Sequence, residues 1–585
     1  MCTFACRRIL CPACVLLLLF TTSGCESASD SGFSQAGQAG NTRFGAGAGS
    51  NWDGFTPGPG TGTPVPFNPD DGGNPGPTPS PTPPPSPLAP TAENDAYSIE
   101  TGITMRQTGV TGVLANDDAQ GGIVSFPSTT AAGGTLSGQA DGSFTYLPPT
   151  GFAGADSFEY TVTNNVGSSS ALASLAVNPR TFRAVSITIA GVPAGGSGYN
   201  GTALNQDGSI VGFVSLSSAL VAGPDTGGDH DVFLTNTLTG VTERVSNTPA
   251  GTPPNDFSGG GMDMTPDANL IVFPSDATNI VPGDTNGATD IFLVNRTSGT
   301  TEIISLDSNG AQFDTDCTFP YISADGRFVT FSRRGTPSTV MLRDRVLGTT
   351  IAISATPAGS IPNEDSFNGV LSANGRWIVM MSEASDLVQG DTNGQSDIFL
   401  HDTLDGTTRI VSRRPGGGAL SNGYSSAPAI DGVGRKIVFR SDATNLVDGD
   451  TNSAGDIFVY DSVDDSLTRV STSATEDQLD AGATEPAISD DGLYVSFSSG
   501  SSNVVAESVG VWPQVYVKDL LTGNIAWISR GPAGELGDSQ SGGLEQSFFS
   551  GDSKFLTFVS ASSNWIPGDS IGDPDVFEVS NPFAR

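Results

Sequence analysis

Histidine is almost missing from this chain: His230 and His401 are the only two in 585 residues. Signals for histidine-based catalysis are correspondingly poor. Cysteine is as scarce where it would count. Cys2, Cys6, Cys11, Cys14 and Cys25 crowd the first 25 residues and leave Cys317 alone in the body. No intramolecular disulfide framework can form there, so packing must supply the stability. Positive charge is also short, with 25 Lys and Arg against 62 Asp and Glu, a formal net charge of −37. A phosphate-reading surface needs a basic footprint, so nucleic acid is not an expected partner. The body holds no Walker loop, no Gly-x-Ser-x-Gly elbow and no Cys-x-x-Cys pair. No catalytic residue is assigned. A solvated or half-buried role is expected for both histidines, and Cys317 is expected to be a small buried apolar residue.

What the chain has is glycine (75) and proline (39), with only 15% charged residues. That balance points to an all-β, turn-rich protein, and the length calls for more than one domain. The apolar run Ile9 to Phe20 follows Arg7 and Arg8. It is too short to span a bilayer and has the length of a signal-peptide core. It ends in Thr22-Ser-Gly-Cys25. Residues 1–25 resemble a bacterial lipoprotein signal, although the usual Leu three places before the cysteine is Thr22 here. The resemblance implies lipidation of Cys25 and a place in the bacterial cell envelope, at the outer membrane, cell surface or facing the periplasm. The membrane is then met through the lipid anchor only. Ordinary secretion with cleavage nearby is the other reading. Residues 26–90 lack apolar periodicity and are expected to be a disordered Gly/Ser/Pro-rich linker. The segment Pro75 to Pro90 is a stiff spacer of roughly 50 Å, at ~3.1 Å per residue.

Residues 91–178 alternate in Ser143-Phe-Thr-Tyr146 and Ser157-Phe-Glu-Tyr-Thr-Val162, as strands with one buried face do. Glu93-Asn-Asp95, Val113-Leu-Ala-Asn-Asp-Asp118, Asp141-Gly-Ser-Phe-Thr-Tyr146 and Gly151-Phe-Ala-Gly-Ala-Asp-Ser-Phe-Glu-Tyr160 resemble the cadherin-like, immunoglobulin-like domains of tandem-95 repeat surface proteins. The resemblance implies a seven-strand β-sandwich, here in one copy and suited to a spacer.

Residues 181–585 repeat with a period near 59. One marker is a turn before an apolar strand, from Asp207-Gly-Ser-Ile-Val-Gly-Phe213 to Asp552-Ser-Lys-Phe-Leu-Thr-Phe558, in seven copies with the third unit short by about ten residues. A second is an outer strand ending in Ser, as in Arg244-Val-Ser246 and Arg469-Val-Ser471. It begins one copy early, at Ala184-Val-Ser186, and is missing from the last unit. An N-terminal strand that completes the C-terminal blade is how a propeller closes its ring and protects its sheet edges. The Ser-x-Asp-Gly-Arg-x-Val-x-Phe and Asp-Ile-Phe-x-x-Asp patterns resemble the TolB-like, WD40-like (PD40) β-propellers. The expected fold class is thus all-β: a small Ig-like, cadherin-like sandwich and a seven-bladed β-propeller after a disordered linker.

The third marker is an acidic loop. It reads Val281-Pro-Gly-Asp-Thr-Asn-Gly-Ala-Thr-Asp-Ile-Phe292 and returns at Val388 to Phe399 and Val447 to Phe458, with looser copies around Asp225 and Asp569. Asp284, Asn286 and Asp290, then Asp391, Asn393 and Asp397, then Asp450, Asn452 and Asp456 offer oxygen ligands at a spacing that suits Ca²⁺. Asn-Gly is also the type I′ turn pair, and an Asp at a strand start accepts backbone N–H bonds. Both readings stand. Function is expected to be a binding or scaffolding platform for an envelope or extracellular protein or glycan. The alternative is a propeller enzyme, a hydrolase or lyase acting on extracellular polysaccharide or peptide.

Overall fold

The structure, a computed structural model, describes residues 87–585 apart from 224–228, 506–511, 543–547 and 570–571. The signal-like residues 1–25 with Cys25, most of the linker and Asp225 lie outside the described residues. Every regular element among the described residues is a strand.

The first two sheets pair face to face. One holds Asp95–Glu100, Ser168–Asn178, Gly154–Thr163 and Ile123–Ser125; the other holds Met105–Gln107, Phe144–Leu147 and Thr135–Gly138. Alternation in Gly154–Thr163 sends Phe158, Tyr160 and Val162 inward, onto Phe144, Tyr146 and Leu175. Each buried tyrosine hydroxyl finds a partner. Tyr146 donates to Asp156 Oδ2 at 2.8 Å and Tyr160 to the Glu93 carbonyl at 2.7 Å. Asp156 also accepts N–H groups from Ala132 and Ser157. It is a turn-fixing hub of this sandwich.

Seven further sheets follow among the described residues, one for each sequence repeat. The first runs from inside out as Ser197–Leu204, Ile210–Ser215, Asp231–Asn236 and Val241–Arg244. The two middle strands of each sheet are nearly all buried, because the sheets stack on both faces. The repeated Val-x-Phe and Asp-Ile-Phe phrases meet there as cross-strand partners. Phe213 pairs with Phe233, Phe273 with Phe292, Phe439 with Phe458 and Phe558 with Phe577, with ring centroids 5.5–6.1 Å apart. The x-Gly-Arg turns are tied down by the Asp that ends the third strand of the same sheet. Arg327 forks onto Asp344, Arg376 onto Asp402 and Arg435 onto Asp461. In the third unit, where the acidic loop is missing, only residues 334–338 join Phe328–Arg333 to Thr339–Asp344.

Neighbouring sheets are stitched at the turn after each inner strand. Ala324 N–H donates to Ala373 O, Ala373 N–H to Gly432 O, and Gly432 N–H to Asp490 O; Asp552 N–H donates to Gln206 O and Gln206 N–H to Pro266 O. Ser541 N–H donates to Pro513 O, which joins the sixth sheet to the seventh. The ring therefore returns on itself. In the seventh sheet Phe555–Ser560 and Asp575–Ser580 are completed by Phe182–Ala184 from the start of the repeat region. The permuted strand expected from the displaced Ala-Val-Ser marker is in place.

Candidate functional site

The Ser marker and the acidic-loop Asp turn out to be two halves of one device. Ser246 Oγ donates to Asp231 at 2.7 Å, Ser412 to Asp397 at 2.5 Å, Ser471 to Asp456 at 2.6 Å and Ser186 to Asp575 at 2.6 Å; Ser305 bonds Asp290 likewise. The same serine oxygen accepts the next residue's N–H in all seven sheets, at 2.9–3.2 Å. This latch holds each outer strand to its neighbour. Its partnership is between residues 15 apart, a spacing visible in the sequence once both markers are aligned.

The candidate metal ligands are partly engaged in this scaffold. Asn286 Nδ2 donates to Asp290 Oδ2 at 2.8 Å and to Phe313 O, and its own oxygen accepts Ala288 N–H. Asn393 does the same to Asp397 and Ser421 O. Asn452 reaches Leu479 O. The asparagines thus act as donors that fix the loop. The first aspartate of each loop is different. Asp284 Oδ1, Asp391 Oδ1 and Asp450 Oδ2 are buried oxygens with no hydrogen-bond donor. Burial, aided by the charge of Asp397, pushes the Asp391 carboxyl up to about 6. Burial and Asp290 raise Asp284. Each loop therefore brings two carboxylates together. Among the described residues no three of His, Cys, Asp and Glu form a metal-binding group.

The remaining candidates are structural. His401 is buried and shares a hydrogen bond with Thr408 through Nδ1; burial lowers its pKa. His230 packs edge-on against Phe257. Cys317 is fully buried and its thiol is pushed up by burial, away from nucleophilic use.

A second constellation lies on the innermost strands and has no counterpart in the repeats. These strands bulge at one shared position, marked by left-handed Phe319, Asn368, Ala427 and Glu485 and by Gly201 and Gly261 in the first two sheets. Consecutive bulges nearly touch: a Cβ on Gly201 would lie 3.4 Å from Gly261 Cα, and one on Gly261 3.6 Å from Phe319 Cα. Asp263 of the second sheet accepts Ile322 N–H at 2.9 Å. It interacts electrostatically with Tyr321 and with Asp490 of the sixth sheet. Asp263 opens the inner strand of the second sheet, and Asp490 follows the end of the sixth sheet's inner strand. Burial raises Asp263 to about 7, with Asp490 adding repulsion, and raises Asp490 to about 6, with Asp491 and Asp431 adding theirs. Asp490 is nonetheless exposed to water. Sequence reading missed these residues because they do not repeat. The one available signal was Asp263 and Tyr321 standing where other inner strands carry Val370, Ala429 and Ala487.

A carboxyl raised on folding makes the native state hold more protons than the unfolded chain between its two pKa values. Stability then falls as pH rises across that window, here between about 4 and 7. The urea midpoint is expected to drop from pH 5 to pH 8. Asp263→Asn should remove roughly 1–2 kcal/mol of that pH dependence, allowing for solvent screening of a partly exposed group. An unchanged slope would put Asp263 in ordinary solvent.

Residues 88–180 match the bacterial cadherin-like domain family. No curated protein matches the chain in sequence. Among solved structures, TolB from Acinetobacter baumannii is 13% identical, with a TM-score of 0.31 over 67% of this chain and 78% of that one. A protein assigned as TolB from Agrobacterium tumefaciens is 16% identical, with a TM-score of 0.30 over 46% and 79%. The Dos1 propeller is 10% identical, with a TM-score of 0.37 over 69% and 94%. The stitched, self-closing ring of sheets carries the fold assignment by itself. The chain thus holds a segment, residues 88–180, that matches the bacterial cadherin-like domain family, followed by a β-propeller.

Proposed function

We propose that this is a lipid-anchored protein of the bacterial cell envelope whose propeller is a binding platform for an envelope or extracellular protein or glycan. The observation that carries the reading is that Asp263 and Tyr321 stand at equivalent places on neighbouring inner strands, joined by the Ile322 N–H bond to Asp263, with Asp490 electrostatically coupled to Asp263; we read this group as facing a central channel. Among the described residues, the six inner strands contain no Lys or Arg. A few converging polar groups in a concave space suit a hydroxyl-rich or positively charged ligand. Cys25, behind its signal-like run, supports the anchor, and the proline-rich segment after it supports a tether. A second reading is favoured by the raised carboxyls. Acids raised toward neutral pH at non-equivalent places in the repeats are what a hydrolase or lyase of extracellular polysaccharide or peptide would use.

The test is to pass native envelope extract over the immobilised chain. Wild type should retain discrete components, and Asp263→Asn with Asp490→Asn should lose them. Equal retention would remove the channel as the site, and cleaved material in the flow-through would favour the enzyme. Cys25→Ala should abolish lipid labelling and release the protein to a soluble fraction. Unchanged labelling would end the anchoring claim.

A further inference from the structure

The three well-kept acidic loops differ in what faces their first aspartate. In the loop at Asp450 and Asp456, the Arg469 guanidinium lies 3.7 Å from Asp450 and 3.3 Å from Asp456, and Gln478 Nε2 donates to Asp450 at 2.8 Å. A cation and a neutral donor thus occupy the space between the carboxylates. Aligned on the outer-strand serine, the place of Arg469 is taken by Ile410 in the Asp391 loop and by Ile303 in the Asp284 loop. Aligned on the carbonyl that the loop asparagine bonds, the place of Gln478 is taken by Leu420 and Gln312. Leu420 offers no donor at all, and Gln312 turns its Nε2 to Gly283 O instead.

The consequence is sharpest at Asp391. It is 8% exposed, its Oδ1 is buried without a donor, and the carboxylate of Asp397 stands close enough to repel it. A buried carboxylate oxygen with no donor beside a second carboxylate is strongly unfavourable unless a cation or a shared proton joins them. Asp284 and Asp290 repeat the arrangement, with Asp284 Oδ1 likewise buried and undonated. Two carboxylates can supply up to four of the six to eight oxygens that Ca²⁺ takes, and water and main-chain carbonyls the rest.

We propose that the Asp391/Asp397 loop and its copy at Asp284/Asp290 each bind a divalent cation of the calcium class, and that the Asp450/Asp456 loop does not because Arg469 takes that place. This stands apart from the channel reading and does not depend on it. The asparagines hold the second carboxylate in position and are not direct ligands. Sites of this charge bind at about 10⁻⁴–10⁻³ M, a range suited to the outside of the cell.

The test is equilibrium dialysis of the whole chain against radiolabelled Ca²⁺ at fixed ionic strength, with melting temperature followed in parallel against an NaCl control. Wild type should bind two ions per chain and melt higher in CaCl₂ than in matched NaCl. Asp391→Asn should lower the count to one. Ile410→Arg should do the same while the calcium-free melting temperature holds or rises, since the guanidinium replaces the ion. Arg469→Ile with Gln478→Leu should raise the count to three. A count of zero, or one indifferent to these changes, would overturn the proposal. So would a stabilisation by acid alone with no bound calcium, which would mean that a shared proton joins the carboxyls.

Discussion

Replacing Phe182 and Val185 with aspartate should leave the ring open and the protein aggregated. Val185 is 1% exposed and sits in a core shared by the first and last sheets, with Phe213, Phe233, Val559 and Val576. The Phe182 ring packs 5.2 Å from Phe577 and 5.7 Å from Trp565. The strand between them also brings Arg183 to Glu578, whose side chain is wholly buried, and Ser186 to Asp575. Two carboxylates placed in that seam have no partner, and each costs several kcal/mol. Their sum exceeds the whole stability of many domains, about 5–15 kcal/mol. Losing the strand would bare the edge of Asp575–Ser580, which invites pairing between chains. Arg183→Ala is the milder version: it leaves Glu578 buried and unpaired, at a cost of about 3–5 kcal/mol. Urea titration and size-exclusion chromatography give the readout. A monomer with an unaltered midpoint would show that this strand is dispensable.

Gly102→Ala should release the sandwich from the propeller. Gly102 and Gly534 are both left-handed, and a Cβ on Gly102 would lie 2.5 Å from Gly534 Cα. Backbone meets backbone there, so no side-chain rotation can relieve the overlap. The same junction holds Arg180, which donates to the carbonyls of Arg530 and Ile528, and Ser580, whose hydroxyl donates to Glu100 at 2.7 Å. Gly151 N–H bonds Ala533 O beside it. Overlap and left-handed strain together should cost about 2–5 kcal/mol, roughly what one small junction can resist. The variant should unfold in two steps, and its radius of gyration by X-ray scattering should increase. One transition with an unchanged radius would show that the junction tolerates the methyl group.

The sequence displayed the ring because the ring is made of repeats. Phe213 and Phe233 mark the same layer as Phe273 and Phe292, and a displaced Ala184-Val-Ser186 showed where the chain would close. The sandwich was legible through alternation around Tyr146 and Tyr160. The Asp–Ser latch was visible as two markers but not as one contact, because pairing across strands leaves no local trace. The difference between Asp391 and Asp450 was hidden for the same reason: it lies in Ile410 against Arg469 and Leu420 against Gln478, residues far from the loop in sequence. Asp263 and Asp490 carried no repeating signal. Gly102 and Gly534 were invisible among 75 glycines, since only a folded neighbour distinguishes a tight approach from an ordinary turn.

Closure by an early strand also orders events in time. Ser186 and Asp575 are 389 residues apart, yet neither has its native bond without the other. A chain synthesised from its N-terminus must carry Phe182 to Ile187 unpaired until Asp575–Ser580 emerges. The six sheets between can form from local hairpins as they appear, whereas the seventh waits for a contact of very long range, the slow kind in folding. A ribosome or translocon stalled before residue 575 therefore holds an open arc with two sticky ends. The strand that seals the finished ring is, until then, its most exposed hazard.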